Sequence, residues 1–225
     1  MTRHFRTHSP LKLLFNTNVF LLILGMPISL LAVSNPLYSE VVEESGTFSC
    51  LSAKEAQLFK LINDYRESHG LPPVANSRSL NMVARMHAID LQQNRPDEGR
   101  DGRGTACNLH SWSDSGSWTP VCYTPDHRYA EKMWNKPREI TGYQYPGDGY
   151  ENAYWTSEDE VSIVRVLEGW KRSPAHNALI LEDGIWKGSN LLAFGIGIYK
   201  NVAIMWVGSM IDPLGPMPSC ESRGK

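Results

Sequence analysis

Residues 150–180 decide how the rest of the chain is read: Y-E-N-A-Y-W over 150–155, S-E-D-E-V-S-I-V-R-V-L-E-G-W over 157–170 and K-R-S-P-A-H-N-A-L-I over 171–180. Ser157, with Glu160 three residues on, predicts a capping box and a helix running to about Trp170. Ser173-Pro174 predicts a second, short helix, because proline at the first helical position has a suitable fixed φ and no N–H to lose. His176 then falls in the first turn of that helix. There the positive end of the helix dipole disfavours imidazolium, leaving a neutral ring free to accept a hydrogen bond or bind a metal.

Downstream, L-L-A-F-G-I-G-I-Y and V-A-I-M-W-V-G-S-M flank Lys200-Asn201, which predicts a β-hairpin. Gly195 and Gly197 leave room on one face for a neighbouring backbone or side chain. The tail I-D-P-L-G-P-M-P-S-C reads as an extended coil tied down by Cys220.

Upstream, Ser52 and Glu55 form another capping box, and Leu58, Leu61, Ile62 and Tyr65 recur at helical spacing until Gly70 and Pro72-Pro73 end the pattern. A second helix begins at about Ser79, with Leu80, Val83, Ala84, Ala88 and Leu91 along one face and His87 among them. His87 is read as a core residue with one satisfied nitrogen rather than a ligand. From Gln92 to Tyr150 the composition turns to Gly, Pro, Asp, Ser and aromatics. A loop this long in a compact domain is usually functional or disordered, and its Trp and Tyr content argues for order. His110 lies in its middle. Helices first and strands last, without βαβ alternation, give an α+β class with an antiparallel sheet covered by helices.

The N-terminus carries Arg3, Arg6 and Lys12 without an acid, then an apolar run from Val19 to Val33. This reads as an export signal over 1–34, cut after Ser34; an uncleaved anchor is the rival reading. Residues 35–50 read as a linker, 51–220 as the folded domain and 221–225 as a tail. Cleavage moves the formal net charge from −2 to about −5, which argues against nucleic acid as a partner. Four cysteines in an exported chain should pair. Of the three possible pairings we take the nested one, with Cys107 and Cys122 bracketing the stretch rich in Ser and Trp and Cys50 and Cys220 near the ends; free buried thiols are the alternative.

Four blocks stand in fixed order: L-I-N-D-Y-R-E-S-H-G-L-P-P-V, A-R-M-H-A-I-D-L, N-L-H-S, and Y-E-N-A-Y-W with E-G-W-K-R-S-P-A-H-N-A-L-I, closing on F-G-I-G-I-Y and M-W-V-G. Together they resemble the CAP superfamily, the SCP-like extracellular domains of cysteine-rich secretory, antigen 5 and pathogenesis-related proteins, in its bacterial branch. The resemblance implies an α-β-α sandwich whose cleft holds two histidines and two glutamates able to bind a divalent metal. Position by position it points to His110 in N-L-H-S and Glu151 in Y-E-N. The family's helical glutamate falls here on Ser173, and its closing G-H-x-T-Q strand is absent. His176, in the S-P-x-H block, stands in for the last histidine, and Glu168, one turn before Ser173, for the second carboxylate.

Zinc or another divalent cation accepts such nitrogen and oxygen donors in an open site, so His110, Glu151 and His176 form a candidate three-ligand centre. The competing role for Glu151 is to accept hydrogen bonds from backbone donors or a histidine, bracing the loop against the helix. His110-Ser111 invites a serine mechanism, but adjacent residues rarely present base and nucleophile to each other, and no G-x-S-x-G elbow occurs. Trp112, Trp118, Tyr150, Tyr154 and Trp155 are candidates to line a groove, or else they form small cores under the loops. The expected function is an exported, secreted or periplasmic module that binds an extracellular lipid, glycan or protein ligand, with no membrane span in the mature chain. The alternative is a metal-dependent, peptidase-like hydrolase in the same cleft.

Overall fold

The structure, a computed structural model, describes residues 49–220. The expected signal, nearly all of the linker and the tail lie outside the described residues. In chain order the elements are α1 (Ala53–Ser68), α2 (Arg78–Asn94), α3 (Ala130–Trp134), α4 (Lys136–Ile140), β1 (Tyr150–Trp155), α5 (Ile163–Arg172), α6 (Pro174–Ile180), β2 (Ala193–Tyr199) and β3 (Val202–Gly208), with 3-10 turns at Pro96–Glu98 and Gly184–Trp186. The strands form one antiparallel sheet in the order β1-β3-β2. The α+β class and the helix-covered antiparallel sheet are therefore as the sequence predicts.

The sheet separates two cores, because successive side chains on a strand point to opposite faces. Val202, Ile204 and Trp206 of β3 pack with Ala153, Ala193 and the apolar face of α2. Ala203, Met205 and Val207 pack with Phe194, Ile196 and residues of α1, α5 and α6. The central strand β3 is buried along its whole length. Gly195 and Gly197 let α2 lie directly on β2: a Cβ at Gly197 would sit 2.2 Å from the Ala84 carbonyl carbon and the Arg85 nitrogen.

The outer edge of β2 is closed first by backbone, with the Phe194 amide donating to the Ala75 carbonyl and the Ser77 amide to the Phe194 carbonyl, and beyond that by side chains. Asn81 accepts from the Ile196 amide at 2.7 Å and Glu55 from the Ile198 amide at 3.2 Å. Glu55 also completes the α1 capping box and pairs with Arg85, which donates to the Cys50 carbonyl at 2.7 Å. Buried polar groups are thus satisfied while the edge is protected from pairing.

Two sequence expectations need revision, and one strand was not anticipated. The helix expected from Ser157 starts only at Ile163, with Ser162 as N-cap. Residues 156–161 are stitched instead to the β2–β3 turn through Thr156 N to Asn201 O at 3.1 Å and Val161 N to Lys200 O at 3.0 Å, and Glu160 pairs with Lys54 at 2.6 Å. These tertiary bonds outweigh a local capping box. The loop from Gln92 to Tyr150 contains two short helices, α3 and α4. Finally, Y-E-N-A-Y-W is a strand, paired along its length with β3 from Tyr150–Val207 to Trp155–Val202.

The nested disulfides are present, Cys50–Cys220 and Cys107–Cys122. Ser173 and Pro174 open α6 as the sequence predicts. No helix among the described residues is long and apolar enough to cross a membrane.

Candidate functional site

β1 is an edge strand, paired on one side with β3, and its central residues are buried on both faces. Glu151 and Ala153 share the face covered by α2. The register sets Glu151 opposite Trp206. The Glu151 side chain has no solvent exposure, yet both of its oxygens are engaged: His87 Nδ1, from α2, donates to Oε2, and His110 Nδ1, from the long loop, donates to Oε1 at 2.7 Å. One carboxylate thereby ties a helix, a strand and a loop together.

The chemistry of the partners fixes the protons. His87 Nε2 lies 3.0 Å from the Ser111 carbonyl oxygen, so both ring nitrogens face acceptors and both must donate. His87 is therefore an imidazolium, stacked on the Trp112 indole with ring centroids 4.1 Å apart, a geometry that favours a cation. Burial pulls the His87 pKa down, but the charge and hydrogen bond of Glu151 and the Ser111 carbonyl outweigh it and hold it above its ordinary value. For Glu151, burial pushes the carboxyl up, and His87 with His110 overcomes this and holds it below its ordinary value.

His176, at the start of α6, brings its ring to 6.4 Å from that of His110. Its backbone carbonyl accepts from Asn152 Nδ2 at 3.0 Å, which pins α6 to β1. Burial, helped by neighbouring His110, lowers its pKa, so the ring is neutral near pH 7. His110 is 22% exposed at its side chain and its Nδ1 is committed to Glu151, so Nε2 is its remaining nitrogen. Tyr123 packs edge-on against His110 at 5.5 Å and passes a hydrogen bond to His127 at 2.8 Å.

Of the sequence-derived candidates, the structure brings His110, Glu151 and His176 together and leaves Glu168 out, paired with Lys171 at 2.6 Å. As donors to a metal these residues fit poorly. Each Glu151 oxygen already accepts from an imidazole N–H and the side chain has no solvent exposure, and no cluster of three His, Cys, Asp or Glu side chains among the described residues is placed to hold an ion. The aromatic candidates divide. Trp112 is buried under His87, and Trp118 packs against it at 5.0 Å with its Nε1 donating to the Ser113 carbonyl, so both belong to a core under the loop. Tyr154 covers Gly169, and Trp155 is 43% exposed at the end of β1. Tyr150 is half-buried between Trp134 at 6.0 Å and Trp186 at 4.5 Å.

The family model of CAP, the cysteine-rich secretory protein family, matches residues 59–201. The chain belongs to the CAP family. A comparison with curated proteins finds no match. Among solved structures it is similar to an extracellular SCP-domain protein of Bacillus anthracis str. Ames, at 19% identity and a TM-score of 0.44, covering 70% of this chain and 40% of that one. It is also similar to a cysteine-rich secretory protein of Staphylococcus aureus subsp. aureus Mu50, at 11% identity and a TM-score of 0.44, covering 70% of this chain and 39% of that one. An outer surface protein of Borrelia burgdorferi matches at 16% identity and a TM-score of 0.40, covering 68% of this chain and 90% of that one. The chain spans about two fifths of the length of the first two.

In this CAP domain the residue that the sequence reading undervalued is His87. A fully buried histidine on an otherwise apolar helix face needs a partner for each ring nitrogen, and Glu151 was already a candidate to accept from a histidine. That pairing is the signal that was available.

Proposed function

We propose that this chain is an exported CAP domain whose use is to bind an extracellular lipid, glycan or protein ligand rather than to turn one over. The observation that carries this is the fully enclosed Glu151, with each oxygen committed to a histidine. Enclosed without solvent exposure, it is not open to a water or substrate proton as a general base, and Ser111, fully buried, accepts the Tyr123 amide at its hydroxyl oxygen at 2.9 Å. A basic, apolar leader and two disulfides support export.

The second reading, a metal-dependent hydrolase, draws on the free nitrogens of His110 and His176. Two imidazoles supply half of a tetrahedral zinc site, and Glu151 would have to release a histidine to supply more. Metal analysis by mass spectrometry on protein exported to an oxidising compartment tests the two readings together with assays on peptide and ester substrates. Binding predicts no turnover with or without added zinc. Near-stoichiometric zinc lost in both His110→Ala and His176→Ala, accompanied by zinc-dependent hydrolysis, overturns it.

A further inference from the structure

A cavity of about 530 Å³ opens beside α3 and α4, away from the histidines, with walls from Trp134, Asn135, Arg138 and Asp148. Its volume is in the ordinary range for small-ligand sites. The Gly149 amide donates to the Trp134 carbonyl at 2.9 Å, which fastens this wall to the start of β1. The cavity therefore lies beside the segment that leads into the strand of Glu151 and is lined by none of that strand's residues.

The polar groups are held in place and only partly used. Arg138 donates from Nε to Asn135 Oδ1 at 2.7 Å and forms an ion pair through a terminal nitrogen with one oxygen of Asp148 at 2.7 Å. This leaves the other Asp148 oxygen, the Asn135 amide nitrogen and the second terminal nitrogen of Arg138 without partners among the described residues. Thr119 and Glu139 also line the cavity but are spent on each other and on Lys136: Glu139 takes the Thr119 amide and hydroxyl at 2.5 Å and Lys136 at 2.6 Å. The remaining lining groups are Glu131 and Lys132.

We propose that this cavity is a binding site for a neutral oligosaccharide. A fixed carboxylate oxygen beside fixed amide and guanidinium N–H donors matches a vicinal diol, whose hydroxyls each donate one hydrogen bond and accept others. The half-buried Trp134 indole offers an apolar surface against which the C–H face of a sugar ring can lie. Three carboxylates against two cations in the lining disfavour an anionic ligand, and one aromatic wall among charged groups disfavours an acyl chain. The proposal extends the binding reading to a named ligand class but does not use the histidine cleft, so the two can fail separately.

The test is titration calorimetry and saturation-transfer NMR on the disulfide-intact, exported protein with chito-, cello-, malto- and manno-tetraose, and a heparin tetrasaccharide as the anionic probe. Binding of at least one neutral tetrasaccharide is expected, weakened at least tenfold in Asp148→Asn and in Trp134→Phe and unchanged in His176→Ala. Asp148 is 42% exposed at its side chain, so its substitution should leave the fold intact, which circular dichroism checks. No binding of any neutral member, equal binding by Asp148→Asn, or a preference for heparin overturns the proposal. Loss of binding in His176→Ala with none in Asp148→Asn would move the ligand to the histidine cleft and overturn it as well.

Discussion

His110 donates through Nδ1 to Oε1 of Glu151 at 2.7 Å, while His87 holds the other oxygen from the opposite element. Two imidazoles on one carboxylate make a brace whose parts come from the long loop, the edge strand and the longest helix. The same carboxylate that a metal would need is the one that holds the loop in place.

Glu151→Gln keeps the shape of this side chain but replaces one acceptor oxygen by a donor, so one histidine N–H then faces another. The charged His87 loses its counter-ion in a fully buried setting. We expect a loss of about 3 kcal/mol or more, the range for breaking a buried ion pair by removing one partner. Urea unfolding at pH 7 measures it, and a loss below about 1 kcal/mol would show that the pair is not enclosed.

The same pair sets a pH dependence. His87 is held above its ordinary value of 6.5 in the folded chain, so its contribution is full below about that pH and is lost as pH rises through the higher folded value. Glu151 is held below its ordinary 4.5, so its contribution is full above that pH and is lost as pH falls through the lower folded value. His176 adds a loss as pH falls below 6.5, because its neutral form is the one favoured in the fold. Unfolding midpoints in urea should therefore fall as pH is raised above 6.5. His87→Phe should flatten that limb, and an unchanged limb in the variant would show that another group carries it.

The parts of this molecule that were legible in the sequence are those fixed by local chemistry. Ser52 with Glu55, Ser173 with Pro174, and Lys200-Asn201 between two apolar runs each set an element that the structure reproduces. Ser157 with Glu160 offered the same local signal and lost, because Lys54 and the β2–β3 turn claim that segment from a distance. The strand character of Tyr150–Trp155 was hidden for a related reason. Its outward and inward residues are both partly polar, and Glu151 sits inward only because two histidines remote in sequence neutralise it. Trp112 and Trp118 illustrate the limit of composition. An aromatic in a loop lines a groove or fills a core according to what it packs on, and here Trp112 stacks on the buried His87.

Close approach of α2 to β2 rests on two glycines. Gly197→Ala would push a methyl group into the backbone of Ala84 and Arg85, atoms that no side-chain rotation can move aside. We expect a loss of about 3 kcal/mol, at the upper end of overpacking costs. Gly102→Ala is the control, since nothing lies within 4 Å of a Cβ there. Thermal unfolding should separate the two variants clearly, and equal melting temperatures would contradict the helix-to-sheet spacing.

The disulfide Cys107–Cys122 encloses His110, and its removal tests whether loop and brace are one unit. A bridge across 15 residues restricts the unfolded chain by about 3 kcal/mol in the chain-entropy model. If that were its whole role, Cys107→Ser with Cys122→Ser would lower stability but leave the His110 ring where it is. The loop has other fastenings, with Trp112 and Val121 exchanging backbone hydrogen bonds at 2.9 and 3.0 Å and Ser113 bound to Asp90 at 2.8 Å. We therefore expect the double variant to unfold at lower urea while the His87 and His110 imidazole resonances in proton NMR at pH 6 stay close to their wild-type positions. Resonances shifted to those of Glu151→Gln would instead mean that the disulfide, not the carboxylate, holds the loop histidine against the strand.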